Sequence, residues 1–276
     1  MSVSADRERA RFEEFYGRKW SQGAVLWEDR YPSDQRAYAV SLYRRRNEAI
    51  ARVLPRELGI VLDLGCGAGD VAAILAPRAR MTIATDLSFV NVKATRENLD
   101  GVPIRLAQAG AERLPFADHS IDVVVLADVV EHVPDAPAAL AEIRRVLQPG
   151  GHLVCATPIK ATLGVWRTLD WGVRTLARPA RAKKLRFTNE AVFERFFSTR
   201  ELGRLLGQAG FRGREVERIC FYPAPETAGV FGAMMRRVAA RRGTESCARA
   251  TRRAIALFDF AARFRIGNQK QLWVAR

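Results

Sequence analysis

Apolar and polar positions along the chain fall into two alternating patterns. Ile60 to Leu64, Met81 to Thr85, Ile104 to Ala107, Ile121 to Ala127 and His152 to Ala156 are short, mostly apolar runs bounded by turn residues, and they predict buried strands. Between them, Asp70 to Leu75, Phe89 to Leu99 and Pro137 to Leu147 carry apolar residues at helical spacing, the last followed by the turn Pro149-Gly150-Gly151. Strands alternating with helices predict an α/β fold built on a parallel sheet.

The flanks read differently. Asp6 to Trp20 has helical periodicity with Phe12, Phe15, Tyr16 and Trp20 near one face, and a charged helix from Leu42 to Leu54 stops at Pro55. Thr162 to Leu176 is amphipathic, with Trp166 on its apolar face, and leads into Arg178, Arg181, Lys183, Lys184 and Arg186. That combination fits an interfacial helix on anionic lipid, and equally a lid packing inward. Ser198 followed by Glu201 predicts a capped helix ending near Gly210, then an outer strand from Arg214 to Tyr222. Pro223 to Ile266 holds two further helical stretches, Val230 to Arg242 and Cys247 to Phe264, before a last strand from Gln269 to Val274. The chain therefore divides into residues 1–54, a core at 55–222 with a basic insertion at about 160–190, and 223–276.

With 276 residues, 48% of them hydrophobic, the chain can bury one sizeable core. No run of eighteen apolar residues and no secretory leader pattern is present, so a cytoplasmic location is expected, with membrane association as a further possibility. Cys66, Cys155, Cys220 and Cys247 are far apart and read as reduced packing thiols, and the three histidines make no metal pattern. The net charge of +15 is uneven: residues 1–159 carry 20 basic and 21 acidic side chains, residues 160–276 carry 25 and 9. This asymmetry points to an anionic partner, a membrane surface, nucleic acid or acidic substrate, or else to arginine-rich solvated helix faces.

The chemistry concentrates at Val61-Leu62-Asp63-Leu64-Gly65-Cys66-Gly67-Ala68-Gly69-Asp70, a strand entering a glycine-rich turn and then a helix. Glycines at alternate positions let the backbone turn sharply and approach a ligand closely. The dinucleotide fingerprint needs its third glycine one residue later, where Asp70 stands, and Asp63 and Asp70 would repel a phosphate. A carboxylate at Asp86, closing the second strand, is placed to accept both hydroxyls of a ribose. A nucleoside carrying an ammonium and no phosphate is S-adenosylmethionine.

These residues resemble a class I S-adenosylmethionine-dependent methyltransferase of the small-molecule group that includes the ubiquinone and menaquinone biosynthesis enzymes. Val61 to Gly69 fits the family's first motif, Asp86 its ribose acid, and Leu114-Pro115-Phe116 through Asp122 a further segment. Glu131-His132-Val133, Arg145 to Gly151, and Phe197-Ser198 through Phe211 continue the order, so the likeness runs from about Leu54 to Val216. It implies a Rossmann-like sheet with helices on both faces and an antiparallel last strand, an N-terminal helical lid and a C-terminal helical insertion. It also implies that Asp63, Gly65, Cys66, Gly67, Gly69, Asp86, Leu87, Gly110, Ala111, Glu112 and Ala127 form the cofactor site. One departure stands out: Ala109-Gly110-Ala111-Glu112 has glycine where the family usually has the aspartate expected near the adenine amino group.

His132 and Asp128, just past the fourth strand, are the catalytic candidates. His132 reads either as a base for the acceptor or as a residue shaping the helix entry, and Asp128 as a pocket residue or part of the turn. Tyr16, Trp20, Tyr38 and Trp166 are the acceptor and lid candidates, with simple docking of helices on the core as their other reading. The expected activity is methyl transfer to a small, lipophilic acceptor such as a natural product, quinone or lipid. The rivals are an RNA methyltransferase and a catalytically silent peripheral membrane protein of the same fold. Nucleic acid fits poorly, because Ala127-Asp128-Val129-Val130 lacks the Asn/Asp-Pro-Pro-aromatic motif of amino-directed nucleic-acid methyltransferases.

Overall fold

The computed structural model describes residues 33–159, 195–221 and 268–276, together with Arg7, Ala10, Arg11 and Glu14. Its strands are β1 (Leu58–Leu64), β2 (Ala79–Asp86), β3 (Ile104–Gln108), β4 (Ile121–Ala127), β5 (Leu147–Pro158), β6 (Gly213–Phe221) and β7 (Asn268–Ala275). They form one sheet in the order β3-β2-β1-β4-β5-β7-β6. The first five pair in parallel, and β7 runs antiparallel between β5 and β6. The helices are α1 (Ser33–Val53), α2 (Asp70–Leu75), α3 (Phe89–Asn98), α4 (Ala136–Val146) and α5 (Thr199–Gln208).

Both faces of the sheet are covered, which is why its central strands read as unbroken apolar runs. Val61 and Leu62 point to opposite faces and both are fully buried, as are Val124 and Val125. On one face Ala49 and Ile50 of α1 and Val71 and Leu75 of α2 pack on Val61, Val123, Val154 and Leu272. Through Ala72, Ala84 and Leu99 that layer continues to the end of α3. On the other face Leu140 and Ile143 of α4 and Leu202 and Leu206 of α5 cover Leu62, Val124 and Leu153. Burying a side chain of this size contributes roughly 1.5–3 kcal/mol, so the apolar stripes rather than helix propensity hold these helices in place.

Local chemistry sets the helix ends. Asp135 caps α4 by accepting from the Ala138 amide, and Ser198 and Glu201 form the reciprocal capping box that starts α5. Arg78, just past α2, donates to the Ala51 and Leu54 carbonyls at 2.9 and 3.2 Å and also to Pro55, so it closes the end of α1.

Several boundaries differ from the sequence expectation. Helix α1 begins at Ser33 rather than Leu42, and β1 and β2 begin at Leu58 and Ala79 rather than Ile60 and Met81. The stretch Leu147 to Gly151, expected as a helix end and a turn, is the start of β5, with Leu147 paired to Ile121. Glycine permits this: a Cβ on Gly151 would stand 2.9 Å from the Asp122 carbonyl, and Gly150 has φ +81°. Apart from the helical, exposed positions 7, 10, 11 and 14, the expected helix at 6–20 lies outside the described residues. So do the amphipathic segment at 162–176 and the helical stretches at 230–264, and with them the lid and insertion boundaries. No helix among the described residues is long and apolar enough to cross a membrane.

Candidate active site

Asp63, Asp86 and Asp128 stand at the carboxyl ends of three adjacent strands, β1, β2 and β4, where ligands of open parallel sheets bind. They line one cavity of about 260 Å³. The turn between β1 and α2 forms its floor and is tied on both sides. Gly65 and Cys66 donate to the Thr85 carbonyl at 2.7 and 2.9 Å, and Gly67 donates to Asp86 Oδ2 at 2.9 Å. From α3, Thr95 Oγ1 donates to the Gly67 carbonyl at 3.1 Å and Asn98 to Ala68 at 3.0 Å. Gly65 has φ +79°, and a Cβ there would lie 2.4 Å from Val129, so glycine is required both for the turn and for the approach of the β4 loop.

The carboxylates of Asp63 and Asp86 differ in environment. Asp63 is 1% exposed and accepts the Ala72 amide at 3.0 Å. Burial pushes its carboxyl up to about 7, with Asp70 and Asp86 adding to the rise, against the Ala72 hydrogen bond and the Arg46 charge. A buried carboxylate in that state gains most from a cationic ligand. Asp86 is better satisfied: Oδ1 accepts from the Ser88 amide at 2.9 Å and Asn91 Nδ2 at 3.1 Å, while Oδ2 accepts from Gly67.

The segment after β3 and the residue after β2 supply one wall: Gly110, Ala111 and Glu112 from the first and Leu87 from the second line the cavity. The Glu112 carboxylate lies 3.4 Å from the point where a Cβ on Gly110 would stand, so a carboxylate reaches this corner from two positions further on. Arg145 of α4 steadies the following loop through the Phe116 and Leu114 carbonyls at 2.9 and 3.2 Å and through Asp118 and Glu142. Its hydrogen bond to Glu142 is the main reason that carboxyl sits below its ordinary range.

The other end is lined by Tyr43, Arg46, Asp128, Val129, His132, Val133 and Pro134. Asp128 Oδ2 accepts from Arg46 at 2.8 Å and from Lys270 of β7. Burial works to raise the Asp128 carboxyl, but the charges of Lys270 and Arg46 outweigh it and hold the group ionised below its ordinary range. Arg46 is further fixed by Asn47 Oδ1 at 2.9 and 2.8 Å, and both Arg46 and Lys270 lie over the Tyr43 ring, 5.1 and 5.2 Å from its centre. Behind Asp128, Glu131 is buried and accepts from Thr157 Oγ1 at 2.9 Å, and burial followed by the Asp128 charge pushes it up to about 7.

The structure brings together most of the residues singled out from the sequence. Asp63, Gly65, Cys66, Gly67, Asp86, Leu87, Gly110, Ala111, Glu112, Ala127, Asp128 and His132 all line the cavity. Gly69 does not: with φ +95° it caps α2, and a Cβ there would meet Leu99 and Thr95 at 2.9 and 3.0 Å, so its glycine answers to packing. Tyr16, Trp20 and Trp166 lie outside the described residues, and Tyr38 falls on the backbone of α1. Cys66 and Cys155 are free and buried, and burial pushes both thiols up, which leaves them as packing groups. The sequence reading missed Tyr43, Arg46 and Lys270. They come from α1 and β7, far from the motif-bearing turns, and nothing in their spacing marks them.

Residues 62–155 match the methyltransferase domain family. The chain is 36% identical over 115 residues to a ubiquinone/menaquinone biosynthesis C-methyltransferase, UbiE, of Desulfotalea psychrophila, covering 41% of this chain and 46% of that protein. Across the UbiE proteins it matches, it spans about half their length, 55% in that of Rickettsia felis. It is 32% identical over 216 residues to a probable S-adenosylmethionine-dependent methyltransferase of Mycolicibacterium smegmatis, covering 78% of this chain and 72% of that one. Among solved structures, the putative methyltransferase in complex with the Trm112 activator of Haloferax volcanii superposes with TM-score 0.60 at 19% identity, over 97% of this chain and 96% of that one. The [4+2]-cyclase SpnF superposes with TM-score 0.59 at 21% identity, over 96% and 94%. These two structures share the fold.

Proposed function

The chain belongs to the S-adenosylmethionine-dependent methyltransferases, and on that footing we propose that it moves the cofactor's methyl group to a small, lipophilic acceptor of the quinone, natural-product or lipid kind. The observation that carries this reading is the pairing of a buried, cation-seeking carboxylate, Asp63, with the ribose-type carboxylate Asp86 across one glycine turn. That donor set suits a nucleoside with an ammonium group and disfavours a phosphate. The fold alone does not fix the reaction, since it also carries a cyclase.

When bound, the cofactor supplies a methyl group already activated on a sulfonium, so the protein has mainly to bind, orient and exclude water. Asp63 takes the ammonium. Arg46, the only arginine or lysine lining the cavity among the described residues, takes the carboxylate. Asp86 accepts the ribose hydroxyls, Leu87 and Ala111 flank the adenine, and Glu112 accepts its amino group in place of a side chain at position 110. Val129, Val133 and Pro134 give the acceptor end an apolar wall, which supports a lipophilic partner, as do the quinone-pathway names of the UbiE relatives. Incubation with methyl-labelled cofactor and a panel of quinol, polyketide and lipid-like acceptors tests the proposal. Label appearing in an extractable product supports it, and label that remains with the cofactor across the panel counts against it.

A further inference from the structure

Of the glycines in and beside the cavity, Gly110 is the one that neither backbone nor packing requires. Gly65, Gly67 and Gly69 take left-handed backbone, at φ +79°, +59° and +95°. At Gly65 and Gly69 neighbours also fill the place of a side chain, with Val129 at 2.4 Å and Leu99 at 2.9 Å. Gly110 lies outside the left-handed region. Among the described residues, a Cβ there would meet only Glu112 Oε2 and Leu87 Cδ1, each at 3.4 Å and each the end of a flexible side chain. Gly110 and Leu87 are half-buried and Glu112 is exposed, so among the described residues this corner of the cavity opens to the surface. Its walls are fixed: Ala109 donates to the Asp86 carbonyl at 3.0 Å, Gln108 Nε2 to the Leu87 carbonyl at 2.9 Å, and Arg113 to the Gly110 carbonyl at 3.3 Å.

Strand order says which part of a ligand faces the opening. The strands run β3-β2-β1, so Gly110 just past β3, Asp86 at the end of β2 and Asp63 at the end of β1 follow one another in a row. An adenosyl cofactor has the matching sequence of base, ribose and amino-acid group. With Asp63 on the ammonium and Asp86 on the ribose, the base falls at Leu87 and residues 110–112, and its exocyclic nitrogen has two hydrogens to place.

We propose that this corner admits one substituent on the exocyclic nitrogen, so that N6-alkylated forms of the adenosyl cofactor bind as the unsubstituted one does. This rests on the cofactor assignment made above. Glu112 keeps one N–H hydrogen bond, and the alkyl group replaces the second hydrogen, in the space that Gly110 leaves. An aspartate at position 110 would occupy that space and set its carboxylate, unpaired, against the alkyl group, which is how a site rejects an analogue. Two substituents would leave Glu112 no N–H to accept.

The test titrates S-adenosylhomocysteine and its N6-methyl and N6,N6-dimethyl derivatives into the full chain by calorimetry. Failure of the wild type to bind S-adenosylhomocysteine removes the cofactor assignment itself, and this proposal with it. Given that binding, the N6-methyl derivative is expected within about threefold of the parent, and the dimethyl derivative about tenfold or more weaker, the loss of a hydrogen bond to a charged acceptor. G110D should hold S-adenosylhomocysteine within about threefold or tighter and bind the N6-methyl derivative about tenfold or more weakly. A loss beyond about threefold for the N6-methyl derivative in the wild type overturns the proposal and needs no variant. Equal binding of the methyl and dimethyl derivatives, or a G110D protein that binds S-adenosylhomocysteine and its N6-methyl derivative alike, also overturns it.

Discussion

Lys270 and Asp128 pair across 142 positions of the chain and join β7 to the turn that closes the cavity. Arg46 reaches the same carboxylate from α1, so three distant segments meet on one oxygen. Removing Lys270 leaves Asp128 with one cation instead of two in a site where water cannot easily compensate. K270M is therefore expected to lower stability by roughly 2 kcal/mol, less than the loss from a fully unpaired buried charge. Urea unfolding of K270M beside the wild type measures it.

The Asp63 carboxyl, pushed up to about 7, predicts a pH dependence with a definite sign. Because its folded value lies above its unfolded one, its contribution to stability is fully present below about pH 4 and is lost as pH rises to about 7. Glu131, also pushed up to about 7, acts in the same direction. D63N should therefore be more stable relative to the wild type at pH 8 than at pH 5. An ammonium ligand prefers the ionised carboxylate, so cofactor binding should tighten between about pH 5.5 and 7 with proton release, and D63N should bind weakly throughout. Calorimetry in buffers of different ionisation enthalpy reads the released proton.

Glu112 and Gly110 make an exchangeable pair, since the carboxylate of one lies against the space of the other. E112A should weaken cofactor affinity by about tenfold, the loss expected of one hydrogen bond to a charged group. A side chain at position 110 meets Glu112 and Leu87 only at 3.4 Å, an ordinary contact distance. G110D in the E112A background should then recover most of the affinity. No recovery would mean that the adenine amino group lies elsewhere.

Gly65 is expected to tolerate no side chain. G65A places a Cβ 2.4 Å from Val129 at φ +79°, combining overlap and backbone strain, and should cost about 2–4 kcal/mol. V129A in the same chain should restore only the overlap part. Thermal unfolding of the single and double variants separates the two contributions.

Most of the cavity's Asp63 and Asp86 end was legible in the sequence because its determinants are local. Asp63, the glycine turn and Asp86 sit at strand ends that periodicity locates, and a strand end fixes where a side chain stands. The alternation of strands and helices likewise carried the sheet and the faces of α2, α3 and α4. At the other end Asp128 and His132 were legible, whereas Arg46 and Lys270 were not, for the opposite reason. Arg46 lies in a helix dense with arginines, where Arg44 is exposed and Arg46 is buried, and only tertiary packing separates them. Lys270 lies in the expected last strand, but only the pairing of β7 between β5 and β6 brings it to Asp128. Leu147 to Gly151 reads as a helix end and turn because Pro149-Gly150-Gly151 carries turn chemistry, whereas the pairing partner of Leu147, Ile121, lies in a distant strand.

The most direct measurement is calorimetric titration of S-adenosylmethionine and S-adenosylhomocysteine into the wild type, with D86A alongside. Micromolar binding of both by the wild type, weakened at least about tenfold in D86A by loss of the carboxylate that accepts Gly67, Ser88 and Asn91, is the predicted result. Absence of binding to the wild type, or equal binding by D86A, would contradict the assignment of this cavity to the cofactor.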